Sequence, residues 1–251
     1  MLAKQRQQLI LAQLDRNGAL SVAELVRELD VSRETVRRDL NALAERGLLV
    51  TTHGGALSAE HTEPDVDTRE ASNAAAKNAI GRRAADLIPD GTSLVIDSGS
   101  TTLAVARALL ERRGLTVYTN DWRIALLLGR RNENRVNLLG GELSGHEDAT
   151  FGLDTIQQLS QYHADFAIVG AGGITPDANL TDYSRMAAEV RACMLVAAQT
   201  AVVVADHSKF GRVTPVRVAN FETVRYLVTE LAPDKTLRKA LAARGPELLI
   251  A

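Results

Sequence analysis

The amino-acid sequence predicts an α/β protein in two unequal parts, a small, mainly helical N-terminal domain and a larger domain built on a mostly parallel sheet. Residues 1–50 carry apolar side chains at helical spacing, whereas beyond residue 71 short β-rich apolar runs alternate with helical stretches. Alternation of that kind builds a parallel sheet covered on both faces. The 251 residues are also long for one compact core, at roughly 100–200 residues per domain.

In the first part, Leu9, Ile10 and Leu14 stripe a helix that Asn17-Gly18 ends. Ser21 is placed as the N-cap of a second helix, with Val22, Leu25, Val26 and Leu29 following at i, i+3, i+4 and i+7. Ser32 caps a third, whose buried side is Val36, Leu40 and Leu43, and Gly47 stops it. Residues 48–52 are strand-like and lead into a turn at His53-Gly54-Gly55. This domain is read as 1–57, and the polar stretch 58–70, with Pro64 and several acids, as a linker. Within 71–251 the strand candidates are 93–97, 115–119, 136–139, 166–169, 201–205 and 226–229. Helices are expected between most of them, at 103–113, 122–128, 155–161 and 186–198.

Composition excludes several classes. The net charge of −2 argues against coating nucleic acid or an anionic membrane by bulk charge. Cys193 is the single cysteine, so neither an intrachain disulfide nor a cysteine-based zinc cluster can form, which fits a reducing cytoplasm. No uncharged apolar run approaches the roughly 18 residues of a membrane span, and the first residues lack the apolar core of a signal peptide. His146, Glu147 and Asp148 sit together, but adjacent side chains diverge, and no metal is expected there.

Two short helices, a tight turn and a following wing outline a winged helix-turn-helix, a fold that lays its second motif helix in the DNA major groove. That helix carries Glu34, Arg38 and Asn41 opposite its apolar side, flanked by Thr35 and Arg37. Arg33, Arg37 and Arg38 suit guanine edges or phosphates. Ser32 and Thr35 suit phosphate oxygens at the helix N-terminus, and Ser21, Thr52 and His53 are further candidate contacts. A trihelical interaction module with a merely solvated polar face remains open on this pattern. Residues 1–57 hold eight basic and seven acidic side chains, so the domain is only +1.

The run Val31-Ser-Arg-Glu-Thr-Val-Arg-Arg-Asp-Leu40, followed by His53-Gly54-Gly55-Ala56, resembles the signature of DeoR-family bacterial transcriptional repressors. That family normally carries an arginine shortly before its His-Gly-Gly-Ala; Thr51 and Thr52 stand there instead.

In the larger domain, 93–97 empties into Ser98-Gly99-Ser100-Thr101-Thr102 before a helix. Such a loop offers backbone N–H groups and hydroxyls to an anion, aided by the helix N-terminal field, although Ser and Thr there are also ordinary caps. Thr119-Asn120, Gly140-Gly141, Gly172 and Asp206 with Lys209 follow the other candidate strands and would share its rim. A hydroxyl/N–H cradle with one lysine and Asp/Asn acceptors suits a phosphorylated sugar or polyol. The phosphate would sit in the 98–102 loop, and Asp97, Asn120 or Asp206 would accept from hydroxyls. The Walker lysine pattern and a dinucleotide fingerprint are both absent, so ATP and NAD are poor fits and no cofactor is expected.

These segments also resemble the DeoR effector domain, in Asp97-Ser-Gly-Ser-Thr-Thr102, Leu139-Gly140-Gly141 and Asp206-His-Ser-Lys-Phe-Gly211. The resemblance implies a Rossmann-like domain similar in fold to ribose-5-phosphate isomerase and glucosamine-phosphate deaminase. It also implies a repressor of a sugar or polyol operon. Within the family, Asp182-Tyr183 and the segment 203–212 look most like the glycerol-3-phosphate repressors. Operator DNA, a phosphorylated metabolite and further copies of the chain, as dimer or tetramer, are the expected partners. A sugar-phosphate isomerase- or deaminase-like enzyme with an accessory helical domain is the alternative, with Asp97, Asp206 and Lys209 as its nominal acid–base groups. Arg185, Glu189 and Arg191 read as a solvated or salt-bridged helix face, and Trp122 as an anchor of its helix to the sheet.

Overall fold

The computed structural model describes residues 3–17, 19–45, 48–52, 54–58, 63–144 and 147–251. The chain forms two compact units, Met1–Pro64 and Asp65–Ala251.

The first unit runs α1 (Ala3–Asn17), β1 (Ala19–Ser21), α2 (Val22–Leu29), α3 (Arg33–Glu45), β2 (Leu49–Thr52) and β3 (Gly55–Ser58). Ile10, Leu14, Leu25, Leu29, Val36, Leu40 and Leu43 form its core, the stripes that helical spacing marks out. Ser21 and Glu24 close a reciprocal capping box at α2, and Asp30 ends that helix in the left-handed region at φ 50°. The strands are antiparallel in the order β1-β3-β2. β1 and β3 go beyond the sequence reading, because a three- or four-residue strand is too short to show its period. Gly55 is confined by backbone: a Cβ there would lie 1.9 Å from the Leu20 carbonyl oxygen. Asp39 faces inward from α3 and accepts from Arg6 Nε at 2.7 Å, pinning α1 to α3.

The second unit begins with α4 (Val66–Ala71) and α5 (Ala74–Ala85). The linker expected over 58–70 is therefore corrected: from residue 66 the chain is helical, with Val66 and Arg69 buried. Among its many polar residues, that six-residue helix shows no stripe to read. There follow β4 (Ser93–Ile96), α6 (Ser100–Ala108), β5 (Thr116–Thr119), α7 (Trp122–Leu128) and β6 (Arg135–Leu138). A hairpin of β7 (Glu142–Ser144) and β8 (Ala149–Phe151) leads to α8 (Leu153–Leu159) and β9 (Ala164–Val169). Next come β10 (Gly173–Ile174), β11 (Leu180–Asp182), α9 (Arg185–Val196), β12 (Ala198–Val204) and β13 (Val216–Arg217). The chain closes with β14 (Val224–Thr229), α10 (Lys235–Arg244) and β15 (Glu247–Ile250). β10, β11 and β13 form a small antiparallel sheet.

The main sheet has the order β15-β14-β12-β9-β4-β5-β6 and every pairing in it is parallel. Alternate strand residues serve opposite faces: Leu94, Ile96, Ile168 and Val202 pack with α5, α6 and α7, whereas Val95, Ala167, Val169 and Val203 pack with α8, α9 and α10. The chain enters at β4, winds outward to β6, then returns to β9 on the other side of β4. This reversal creates a switch point between β4 and β9, the kind of place where loops diverge and open α/β sheets bind ligands beyond the carboxyl ends of their strands.

Asp39→Ala should remove the ion pair with Arg6 that joins α1 to α3 in the first unit. A loss of about 3 kcal/mol is expected, read as roughly hundredfold faster amide exchange in α1 and α3 with exchange in β9 unchanged; equal exchange rates would show that Asp39 does not hold this unit together.

Candidate functional site

On α3, Ser32, Arg33, Glu34, Arg37, Arg38 and Asn41 are all exposed, and Thr35 is half-buried. The geometry follows from the helix: with Val36, Leu40 and Leu43 turned to the core, positions 34, 37, 38 and 41 are left facing solvent. Ser32 Oγ accepts from the Thr35 backbone N–H at 3.1 Å and lies 2.9 Å from Thr35 Oγ1, so both hydroxyls serve the helix cap. Arg38 pairs loosely with Glu34, at 3.5 Å and with both side chains open to solvent. Ser21 is engaged in the α2 capping box. Thr52 ends β2, paired in register with Gly55; His53 lies outside the described residues.

In the second unit the candidate effector residues gather on one rim. Ile96 is in register with Thr119 and with Ile168, so Asp97 and Asn120 are the next residues on neighbouring strand ends, beside the exit of β9. Asp97 is buried and spans the switch point: its Oδ2 accepts from the Gly170 N–H at 3.0 Å and from Arg191 Nε at 2.7 Å. Gly99 turns at φ 136° and begins α6 without a side-chain cap. The first-turn residues Ser100, Thr101 and Thr102 are buried, and Thr102 Oγ1 donates back to the Gly99 carbonyl. Asp97 Oδ1, Ser98 Oγ and Asn120 Oδ1 are buried side-chain atoms without a hydrogen-bond partner among the described residues.

Other rim residues support loops. Thr119 Oγ1 accepts from the Asp121 N–H. The Gly140 N–H is already donated to Gln158. A Cβ at Gly141 would meet Phe151 O and Thr155 Oγ1 at 2.4 Å, and one at Gly172 would meet Thr181 O at 2.8 Å. These glycines permit close backbone packing. Asp206 is buried: burial pushes its carboxyl up, but hydrogen bonds from Ser208, the charge of Lys209 and the Asn73 amide outweigh this and hold it below its ordinary range. Lys209 is half-buried beside it, in a short 3-10 turn, His207–Lys209.

Arg191 is salt-bridged, one of the two alternatives the sequence leaves for it, but it is buried rather than on an open helix face. Its side chain is 4% exposed and forms ion pairs with Asp97 and Asp182. A signal was available, because Ala187, Ala188, Arg191, Met194 and Leu195 make a single buried helical stripe with one charge in it. Arg185 and Glu189, by contrast, form an exposed i, i+4 pair. Trp122 is corrected: it is 38% exposed in the first turn of α7, which is fastened instead by Asp121 accepting from the N–H groups of Arg123 and Ile124. Glu147 and Asp148 each face an arginine, Arg69 at 2.8 Å and Arg123 at 3.6 Å.

A helix-turn-helix head followed by a doubly wound sheet is the build of a DNA-binding transcriptional regulator. The profile described as DeoR-like helix-turn-helix domain matches residues 6–62, and that described as DeoR C terminal sensor domain matches residues 72–231. The chain belongs to the DeoR family. It is 39% identical to the glycerol-3-phosphate regulon repressor of Haemophilus influenzae, over 91% of this chain and 90% of that protein. With the repressor of the same name from Escherichia coli it shares 34% identity over 94% of each chain. Ribose 5-phosphate isomerase A of Methanocaldococcus jannaschii superposes with a TM-score of 0.41 at 19% identity, covering 55% of each chain. That likeness is too slight to bear on activity.

Next to Asp206, the exposed His207 ring contacts Glu230 through Nδ1. The hydrogen bond that the ring donates to Glu230, with the charges of Glu230 and Asp206, raises the imidazole above its ordinary 6.5 despite slight burial. Its contribution to stability is therefore fully present below 6.5 and is lost as pH rises through the raised value. His207→Gln should remove that step from a plot of melting temperature against pH, and a step surviving the substitution would assign it to another group.

Proposed function

We propose that the chain is a repressor of a sugar or polyol catabolic operon, released from its operator by a small phosphorylated sugar or polyol. The observation that carries this reading is the uncapped N-terminus of α6 beside three buried polar atoms without partners, Asp97 Oδ1, Ser98 Oγ and Asn120 Oδ1, at the switch point of a parallel sheet. Phosphate would lie on the first-turn N–H groups with the hydroxyls of Ser98, Ser100 and Thr101, where the helix field favours an anion. Asp97 Oδ1 and Asn120 Oδ1 are acceptors, which ligand hydroxyls would satisfy, and Lys209 adds charge near Asp206. The names of the relatives favour glycerol 3-phosphate as the first ligand to try.

In this reading α3 enters the major groove with Arg33, Arg37 and Arg38 toward bases and phosphates, Glu34 and Asn41 toward base edges, and Ser32 and Thr35 at the phosphate end. Thr52 and His53 belong to the wing. One unit of this size buries too little for high specificity, so two copies act on paired half-sites within a dimer or tetramer joined through the larger unit. The protein works in the cytoplasm, on DNA, without enzymatic turnover. Release requires the ligand to bind the DNA-incompetent state more tightly, a coupling of about 1–3 kcal/mol in typical cases.

Replacing Arg37 and Arg38 together by Ala should weaken operator binding and lower the slope of log affinity against log salt by about 1 for each arginine that holds a phosphate. Unchanged affinity in a fluorescence-anisotropy titration would remove α3 from the interface. A panel of phosphorylated three- to six-carbon sugars and polyols should contain at least one compound that raises the melting temperature and releases DNA. Stabilisation by unphosphorylated sugars alone would refute the cradle, and turnover of a panel member would favour the isomerase-like reading.

A further inference from the structure

Asn73 occupies the N-cap position of α5 in the left-handed region, at φ 52°, and makes no side-chain bond to that helix. Asparagine at such a position ordinarily accepts from its own first turn, and it is one of the few non-glycine residues that adopt the left-handed region readily. The Asn73 amide instead donates to Asp206 Oδ1 at 3.0 Å, across 133 residues of sequence. One turn along α5 the buried Lys77 ammonium donates to the carbonyls of Arg69 and Ser72, the latter at 2.7 Å, closing the C-terminal end of α4. Burial lowers the Lys77 pKa and the charge of Asp206 counters that loss. Arg69, also in α4, pairs with Glu147 at 2.8 Å.

The corner between α4 and α5 is thus fastened to the rim of the candidate effector site through Asp206. It also borders that site in space: Ser100, at the start of the anion cradle, lines a groove of about 410 Å³ whose other walls include Asp67 and Glu70 of α4 and Lys77 of α5. In chain order α4 is the first helix after the connector that leaves the DNA-binding unit.

We propose that Asn73 is a positioning residue through which a phosphorylated polyol on the rim controls the docking of α4. The inference rests on the rim being the effector site. A ligand hydroxyl that donates to Asp206 Oδ1, which already accepts from the Ser208 N–H and the Asn73 amide, displaces the amide. Once that bond is lost, the α4–α5 corner held by Lys77 and Arg69 loses its tie to the rim and loosens. The mechanical state of the connector's first anchored helix then depends on what Asp206 is bonded to.

Hydrogen exchange on the full-length chain tests this, with glycerol 3-phosphate and the other panel compounds as probes. A compound that binds should accelerate exchange of residues 66–72 by about fivefold or more, the lower end of usual coupling. Asn73→Gly keeps the left-handed turn and removes only the amide. It should exchange fast at 66–72 without ligand, change less than about twofold on adding it, and bind the compound at least as tightly as the parent by calorimetry. Asn73→Asp, which sets two carboxylates against each other, should also exchange fast without ligand. A compound that binds the parent chain but leaves 66–72 unchanged, or that moves 66–72 equally in Asn73→Gly, overturns the coupling alone. Failure of every compound to bind the parent overturns the effector-site reading and this coupling with it.

Discussion

A single guanidinium buried among carboxylates organises the larger unit. Arg191 lies between Asp97, at the end of β4, and Asp182, at the end of β11, and so joins α9, the main sheet and the small antiparallel sheet at one point. Two aspartates converge on one arginine in a place closed to water. The chain answers with N–H donors, Gly170 to Asp97 and Ser184 to Asp182. Removing one member of such a group typically strands a buried charge at about 3–5 kcal/mol. The rim residues on either side of the β4–β9 seam therefore hold their places because the charges beneath them cannot be rearranged singly. Asp97 meets the site with one oxygen committed to this group and the other uncommitted.

The architecture was legible where its physics is periodic. The apolar runs 166–169 and 201–205 stand out and fall at the carboxyl-terminal parts of the observed strands 164–169 and 198–204, α7 is bounded by Asp121 and Gly129, and the capping chemistry of Ser21 and Ser32 is local. The rim loops could be read for the same reason, since each directly follows such a run. What escaped is what periodicity cannot carry. α4 is six residues of mainly polar chain, and the strands of the small antiparallel sheet are two or three residues long. Arg191 and Asn73 take their meaning from partners 94 and 133 residues away. Of the two, only Arg191 left a trace in its own helix. Gly140, Gly141 and Gly172 were noticed for their position on the rim, but their environment ties them to packing between loops.

The first unit shows a different economy. With a net charge of +1 over residues 1–57, it depends on where its few cations point. Asp39 pairs with Arg6, fixing α3 on α1, while Arg33, Arg37 and Arg38 stay exposed along the outer face. Gly55 presses β3 against β1 so closely that side-chain variation in that stretch of the wing is confined to its neighbours.

The strand order carries a kinetic consequence. β5 pairs with β4 and with β6 close in sequence, but β4 meets β9 only across a sequence separation of 72. Pairings of long sequence separation form late, because the entropy of closing the loop is spent before any contact rewards it. The β4–β9 seam is thus the pairing of the main sheet with the largest sequence separation and the largest loop-closure cost. Whatever binds the native state at that seam stabilises the pairing the chain spends most entropy to close, and raises the stability of the folded unit by mass action.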